Sequence, residues 1–145
     1  MGQHTFSGSH TASIDDKGRL AIPARFRAAL AADAQGQLAI TPTPDGIKLY
    51  PLPVFEHIAK EVIPKHPDIA QRRALKNLFV GQSMTLEMDA QGRMLLPPKF
   101  REALGTAVVL VGQVDHFALW SEAAWTAHAA ASEADYAAAF AALDL

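Results

Sequence analysis

The sequence predicts an α+β fold, mainly β, built from two tandem hairpin–helix repeats over residues 1–78 and 79–145. Three observations predict it. A sixteen-residue stretch recurs 74 positions later, short runs of alternating apolar residues flank Gly- and Pro-rich turns, and the segments between them carry helical spacing.

The recurring stretch runs from Asp15 to Leu30 and from Asp89 to Leu104, with Asp, Gly, Arg, Pro, Phe, Arg and Leu in register. Phe6 and Gly8 extend the phase to Phe79 and Gly81, and Asp45 and Tyr50 extend it to Asp115 and Trp120. In the second copy Met84, Leu86 and Met88 alternate with Thr85 and Glu87, the pattern of a half-buried strand. Asp-x-x-Gly follows in both copies. The carboxylate of Asp15 or Asp89 accepts backbone N–H groups within the turn, and Gly18 or Gly92 takes positive φ at little cost. Arg19 and Arg93 then open the return strands. Leu20 and Ile22, like Met94 and Leu96, share one strand face, and Pro23 or Pro97 stops the pairing and starts a helix. Phe26 with Leu30, and Phe100 with Leu104, sit four apart on one helical face.

A second hairpin is expected in each copy: Leu38–Thr41 with Ile47–Tyr50 around Pro42–Gly46, and Val108–Val111 with Phe117–Trp120 around Gly112–His116. Residues 53–78 read as helical with a break at Pro64–Pro67. The Ala-rich tail from Ser121 places Trp125, Ala129, Ser132, Tyr136 and Phe140 at helical spacing, either to pack on its own sheet or to serve as an interaction helix.

Composition sets the function classes. At 145 residues and 50% hydrophobic, the chain can bury one ordinary core. It has no cysteine, which removes disulfides, thiolate metal sites and thiol nucleophiles. Met1 to His10 lack the order of a signal peptide, and no apolar run approaches the roughly 20 residues of a membrane helix, so a soluble cytoplasmic protein is expected. The net charge of −2 hides an asymmetry. Residues 1–78 carry 10 basic and 7 acidic side chains, and residues 79–145 carry 3 and 8. The basic footprint lies in the first half. His4, His10, His57, His66, His116 and His128 show no metal-ligand spacing, so neither metal nor cofactor is expected. The aspartates sit at hairpin tips, where exposure keeps carboxylates ordinary, and no catalytic residue is assigned.

The doubled Asp-x-x-x-Arg on a Gly-containing hairpin, followed by a short strand, Pro and x-Phe-Arg, resembles the MraZ family over essentially the whole chain. The resemblance implies an AbrB-like fold in which two hairpin–helix repeats interleave into a swapped-hairpin β-barrel with flanking helices. It implies a sequence-specific DNA-binding transcriptional regulator of the division and cell-wall gene cluster, including its own gene, acting on tandem promoter repeats as a ring-shaped homo-oligomer at the nucleoid. Lys17, Arg19 and Arg93 on the hairpin tips then become the donors for phosphates or guanine edges, with Arg25, Arg27, Lys99 and Arg101 as secondary candidates. Asp15, Gly18, Asp89 and Gly92 form the turns. Because Lys17 is matched by Gln91 and Asp16 by Ala90, the first hairpin is expected to matter more. Arg72, Arg73 and Lys76 are the densest basic cluster, read as a solvated helix face. A competing reading is an AbrB-type antitoxin-like interaction protein, which would carry a disordered inhibitory tail.

Overall fold

In the computed structural model, which describes residues 5–145, the recurring stretch folds the same way twice. Strand β1 (Ser9–Ser13) leads through a turn to β2 (Arg19–Ala21), helix α1 (Ala24–Ala34) and the hairpin β3 (Gln37–Thr43) and β4 (Gly46–Pro51). Helix α2 (Leu52–His57) continues as a π turn over Ile58–Val62 and a 3-10 turn over Ile63–Lys65. Helix α3 (Ile69–Ala74) continues over Leu75–Val80. The break between them lies at His66–Asp68, where Pro67 cannot donate a backbone N–H and the Asp68 carboxylate caps α3 by accepting from the Gln71 N–H at 2.8 Å. The second copy then runs β5 (Met84–Glu87), β6 (Arg93–Leu95), α4 (Pro98–Leu104), β7 (Ala107–Gly112) and β8 (Phe117–Ser121), followed by α5 (Glu122–Ala131) and α6 (Glu133–Leu143).

All strands pair antiparallel, in a six-stranded sheet of order β1-β7-β8-β4-β3-β5 and a separate two-stranded ribbon of β2 with β6. Each copy's first strand lies on the other copy. Ser9 is opposite Val111 where β1 meets β7, and Gln37 is opposite Glu87 where β5 meets β3. The ribbon also joins the copies, with Leu20 opposite Met94 at its centre.

The expected closed barrel is not formed. The six strands stay an open sheet, and among the described residues one isolated bridge, Ile14 to Leu20, links the ribbon to the β1 side. The physical reason is the length of the ribbon strands. Each has three residues, and the proline after the next residue, Pro23 or Pro97, has no N–H with which to continue a ladder.

The core lies between sheet, ribbon and the short helices α1 and α4. Leu20, Ile22, Phe26, Leu30, Met94, Leu96, Phe100 and Leu104 all belong to it, as the shared face in each copy predicts. Phe6, Phe26 and Phe117 meet at its centre, with ring centroids 5.0–5.4 Å apart. Each fully buried large apolar side chain contributes about 1.5–3 kcal/mol. The outer ends of the pattern fare differently. Met84 remains 41% exposed, because it falls where β5 is the sheet edge, while Leu86 and Met88 are packed against the core. Phe79 packs with Tyr50 and Phe55 in a satellite cluster rather than beside its repeat counterpart Phe6. In the tail, the helical pattern is interrupted at Ser132. Trp125 packs on Trp120 of β8, but Tyr136 and Phe140 of α6 stay exposed.

Candidate nucleic-acid interface

Both Asp-x-x-Gly-Arg turns have the same construction. Asp15 Oδ1 accepts the N–H groups of Lys17 at 2.9 Å and Arg19 at 2.8 Å, and its Oδ2 accepts from Arg19 Nε at 2.9 Å. Asp89 repeats this with the N–H groups of Gln91 and Arg93, each at 2.9 Å, and with Arg93 Nε at 3.2 Å. The Asp15 N–H donates to the Arg19 carbonyl at 3.0 Å and the Gly18 N–H to the Asp15 carbonyl at 2.9 Å, and the second turn matches both bonds. Gly18 and Gly92 close the turns at φ of 82° and 75°, conformations that a side chain strains.

This construction changes the aspartates themselves. Their carboxyls were expected to be ordinary, yet the N–H of Arg19 holds Asp15 below the usual aspartate value, and the N–H of Arg93 does the same for Asp89. The cause is hydrogen bonding to the charged form rather than burial. Each carboxylate uses one oxygen for the backbone and the other for Nε, which fixes the base of each guanidinium; at the second turn Arg93 Nη2 also donates to Gln91 Oε1.

The ribbon then sets the two arginines on one surface. Leu20, Ile22, Met94 and Leu96 are buried beneath it, so alternation sends Arg19, Ala21, Arg93 and Leu95 outward. Arg19 is opposite Leu95 and Arg93 opposite Ala21. The strands are locked at both ends, because the Ile22 N–H donates to the Gly92 carbonyl at 3.0 Å and the Leu96 N–H to the Gly18 carbonyl at 2.9 Å.

The remaining basic candidates divide. Lys17 is exposed at the first tip, and neither its ammonium nor the Arg25 guanidinium has a partner among the described residues. Lys99 has partners of its own: its Nζ donates to the Gln82 carbonyl at 3.1 Å and lies 5.0 Å from the Phe100 ring centroid. Arg27 and Arg101 differ from a solvated helix face. Arg27 lies across Gly92, where an added Cβ would overlap its Cδ, and Arg101 lies across Gly18, where a Cβ would overlap its guanidinium. Each turn is thus backed by an arginine from the other copy's helix. The recurrence of x-Phe-Arg in both copies was the signal for this pair, and only the crossing of the copies shows which turn each arginine backs. Arg72 has a local task, donating from Nη1 to the His66 carbonyl at 2.6 Å across the helix break.

Among the described residues no group of three or more His, Cys, Asp or Glu comes together, and no helix is long and apolar enough to cross a membrane. His4 lies outside the described residues.

The chain matches the family model described as "MraZ protein, putative antitoxin-like" over residues 5–77 and 79–145. Curated relatives include a protein named transcriptional regulator MraZ from Acidithiobacillus ferrooxidans, 41% identical over 130 residues that cover 84% of this chain and 86% of the relative. Proteins of the same name from Acidovorax sp. and Thiobacillus denitrificans are each 42% identical, covering 88% and 86% of this chain and 89% and 86% of theirs. Matches of this extent, laid over a doubled Asp-locked arginine turn, leave one family for the whole molecule: the chain belongs to the MraZ family.

Proposed function

We propose that this protein is a transcriptional regulator that binds double-stranded DNA sequence-specifically through the outer face of the β2–β6 ribbon and its two turns. The observation that carries the reading is the pair of carboxylate-anchored arginines, Arg19 and Arg93, on one exposed face, with Lys17 beside the first. A two-stranded ribbon fits the major groove, and an arginine with a fixed Nε presents its outer nitrogens to guanine N7 and O6. Arg25 and Arg27 supply flanking charge, with Arg27 buttressing the second turn. Lys99, tied to Gln82, is the weakest candidate of the set.

The repeats 1–78 and 79–145 act as one reading unit, since the ribbon takes one strand from each. The targets are tandem promoter repeats ahead of the division and cell-wall gene cluster, including the protein's own gene, and the site of action is the cytoplasmic nucleoid. No reaction is assigned to the chain. Several copies form a closed ring, a reading supported by the exposed Tyr136, Phe140 and Leu143 of α6, by exposed Val62, Ile69 and Leu78 on the linker helices, and by the opposite charge of the two halves. An antitoxin-like role calls for a disordered inhibitory tail, whereas Glu122–Ala131 and Glu133–Leu143 are helices.

Titration of DNA carrying one promoter repeat or several tandem repeats, over a range of salt, tests the reading. Log affinity falls with log salt by about 0.9 for each phosphate neutralised, so a ring engaging several repeats gives a steeper slope and tighter binding on tandem DNA. Equal slopes would remove the multivalent mechanism. Absence of salt-sensitive binding to either DNA would remove the DNA-binding reading.

A further inference from the structure

The outer face of the ribbon is not only basic. Arg19 and Arg93 occupy two diagonal corners of a four-residue patch, and the other two corners are Ala21 and Leu95. Leu95 is 59% exposed and stands directly across from Arg19. In the repeat register Leu95 is the counterpart of Ala21. The directly opposed cross-strand pairs therefore differ: Arg19 faces a branched apolar side chain, Leu95, and Arg93 faces only the methyl of Ala21.

Resting on the DNA-binding reading above, we infer that Leu95 is a specificity-determining residue that packs on the C5 methyl of thymine in the major groove. The chemistry is restrictive. On base edges in that groove the thymine methyl is the apolar group, and every other feature is a hydrogen-bond donor or acceptor. Cross-strand Cβ atoms lie about 4.5–5.5 Å apart, which puts the Leu95 side chain within about one to two base steps of whatever base Arg19 reads. The fixed Nε of Arg19 keeps that offset constant, because the arginine cannot swing away from Asp15 without giving up its ion pair at 2.9 Å. Ala21, too short to reach as far, leaves the step beside Arg93 unread. The near-twofold ribbon therefore binds its site in one direction, with a thymine beside the guanine read by Arg19.

The test uses the full-length protein and the DNA immediately upstream of its own gene, prepared once with thymine and once with deoxyuridine in its place, which removes only the methyl. Wild type binds the thymine form more tightly, by about fourfold for each methyl buried. Leu95→Ala weakens binding to the thymine form and brings the two forms level, and Leu95→Met keeps most of the preference. Arg19→Ala weakens binding to both forms and leaves a preference for thymine. Equal wild-type affinity for the two forms, or an undiminished preference in Leu95→Ala, overturns the role of Leu95 while leaving DNA binding in place. A change of oligomeric state in Leu95→Ala with the preference intact overturns it too, by making Leu95 a subunit contact. Wild type that binds neither form overturns the DNA reading and this inference with it.

Discussion

The first and second hairpin turns share a backbone and differ in what they offer. In both, one carboxylate oxygen takes two backbone N–H groups and the other takes an arginine Nε. At the first turn the residue after the second position is Lys17, whose ammonium has no partner among the described residues. At the second it is Gln91, whose side-chain oxygen accepts a hydrogen bond from Arg93 Nη2. The second arginine is thus held by two neighbours and the first by one. The motif fixes the geometry of the turn, and a single variable position within it decides how much of the arginine is left for a partner.

The comparison breaks most readily at the arginines. Arg19→Ala is expected to weaken DNA binding about 5- to 150-fold, the worth of one good bidentate base contact. Arg93→Ala costs less, since part of its guanidinium is already used by Gln91. An equal or larger loss for Arg93→Ala in the same titration would show that the extra hydrogen bond orients that arginine rather than occupying it.

Acid is expected to show the likeness of the turns. Both aspartates are held below the ordinary value of 3.8, so the stability they add is fully present above that pH and is lost as pH falls through their lower folded values. Acid unfolding followed by circular dichroism should therefore steepen below 3.8 in wild type, and Asp15→Asn and Asp89→Asn should flatten it to similar extents. Markedly unequal effects would mean that the shared hydrogen-bond pattern hides different energetics.

The smallest effect expected is the exchange of the variable position. Lys17→Gln should lower the salt slope by about 0.9 per subunit bound, and Gln91→Lys should raise it by as much. If Lys17→Gln leaves the slope unchanged, the first turn does not owe its advantage to that ammonium.

Much of this was legible in the sequence, for definable reasons. The Asp-x-x-Gly-Arg turn is local: its hydrogen bonds join residues no more than four apart, and its glycine must take positive φ. Leu20, Ile22, Phe26 and Leu30 declared one buried face by spacing alone. What was not legible depends on contacts between the copies. Nothing in the spacing of Arg27 or Arg101 says that each backs the turn of the other copy, and nothing near Leu95 says that it will stand opposite Arg19. The barrel expectation failed for a local reason instead: the ribbon strands end after three residues, just ahead of the Pro23 and Pro97 that stop their pairing. The tail was read as helical, and its break at Ser132 follows no proline or glycine.

The pairing of β1 with β7 also bears on how the molecule is made. Ser9 finds Val111 roughly a hundred residues later, and at about 5–20 residues per second β1 waits some 5–20 s on the ribosome before its partner strand exists. During that interval its backbone has no native neighbour, a condition under which apolar strands aggregate. The composition of β1, Ser-His-Thr-Ala-Ser, meets that hazard by being polar at four of five positions, and it draws its order from β7, the apolar Ala-Val-Val-Leu-Val-Gly strand synthesised last of the two. The nascent first half cannot complete its native sheet alone, and the ribbon with its paired arginines comes into being only once β6 of the second copy has left the ribosome.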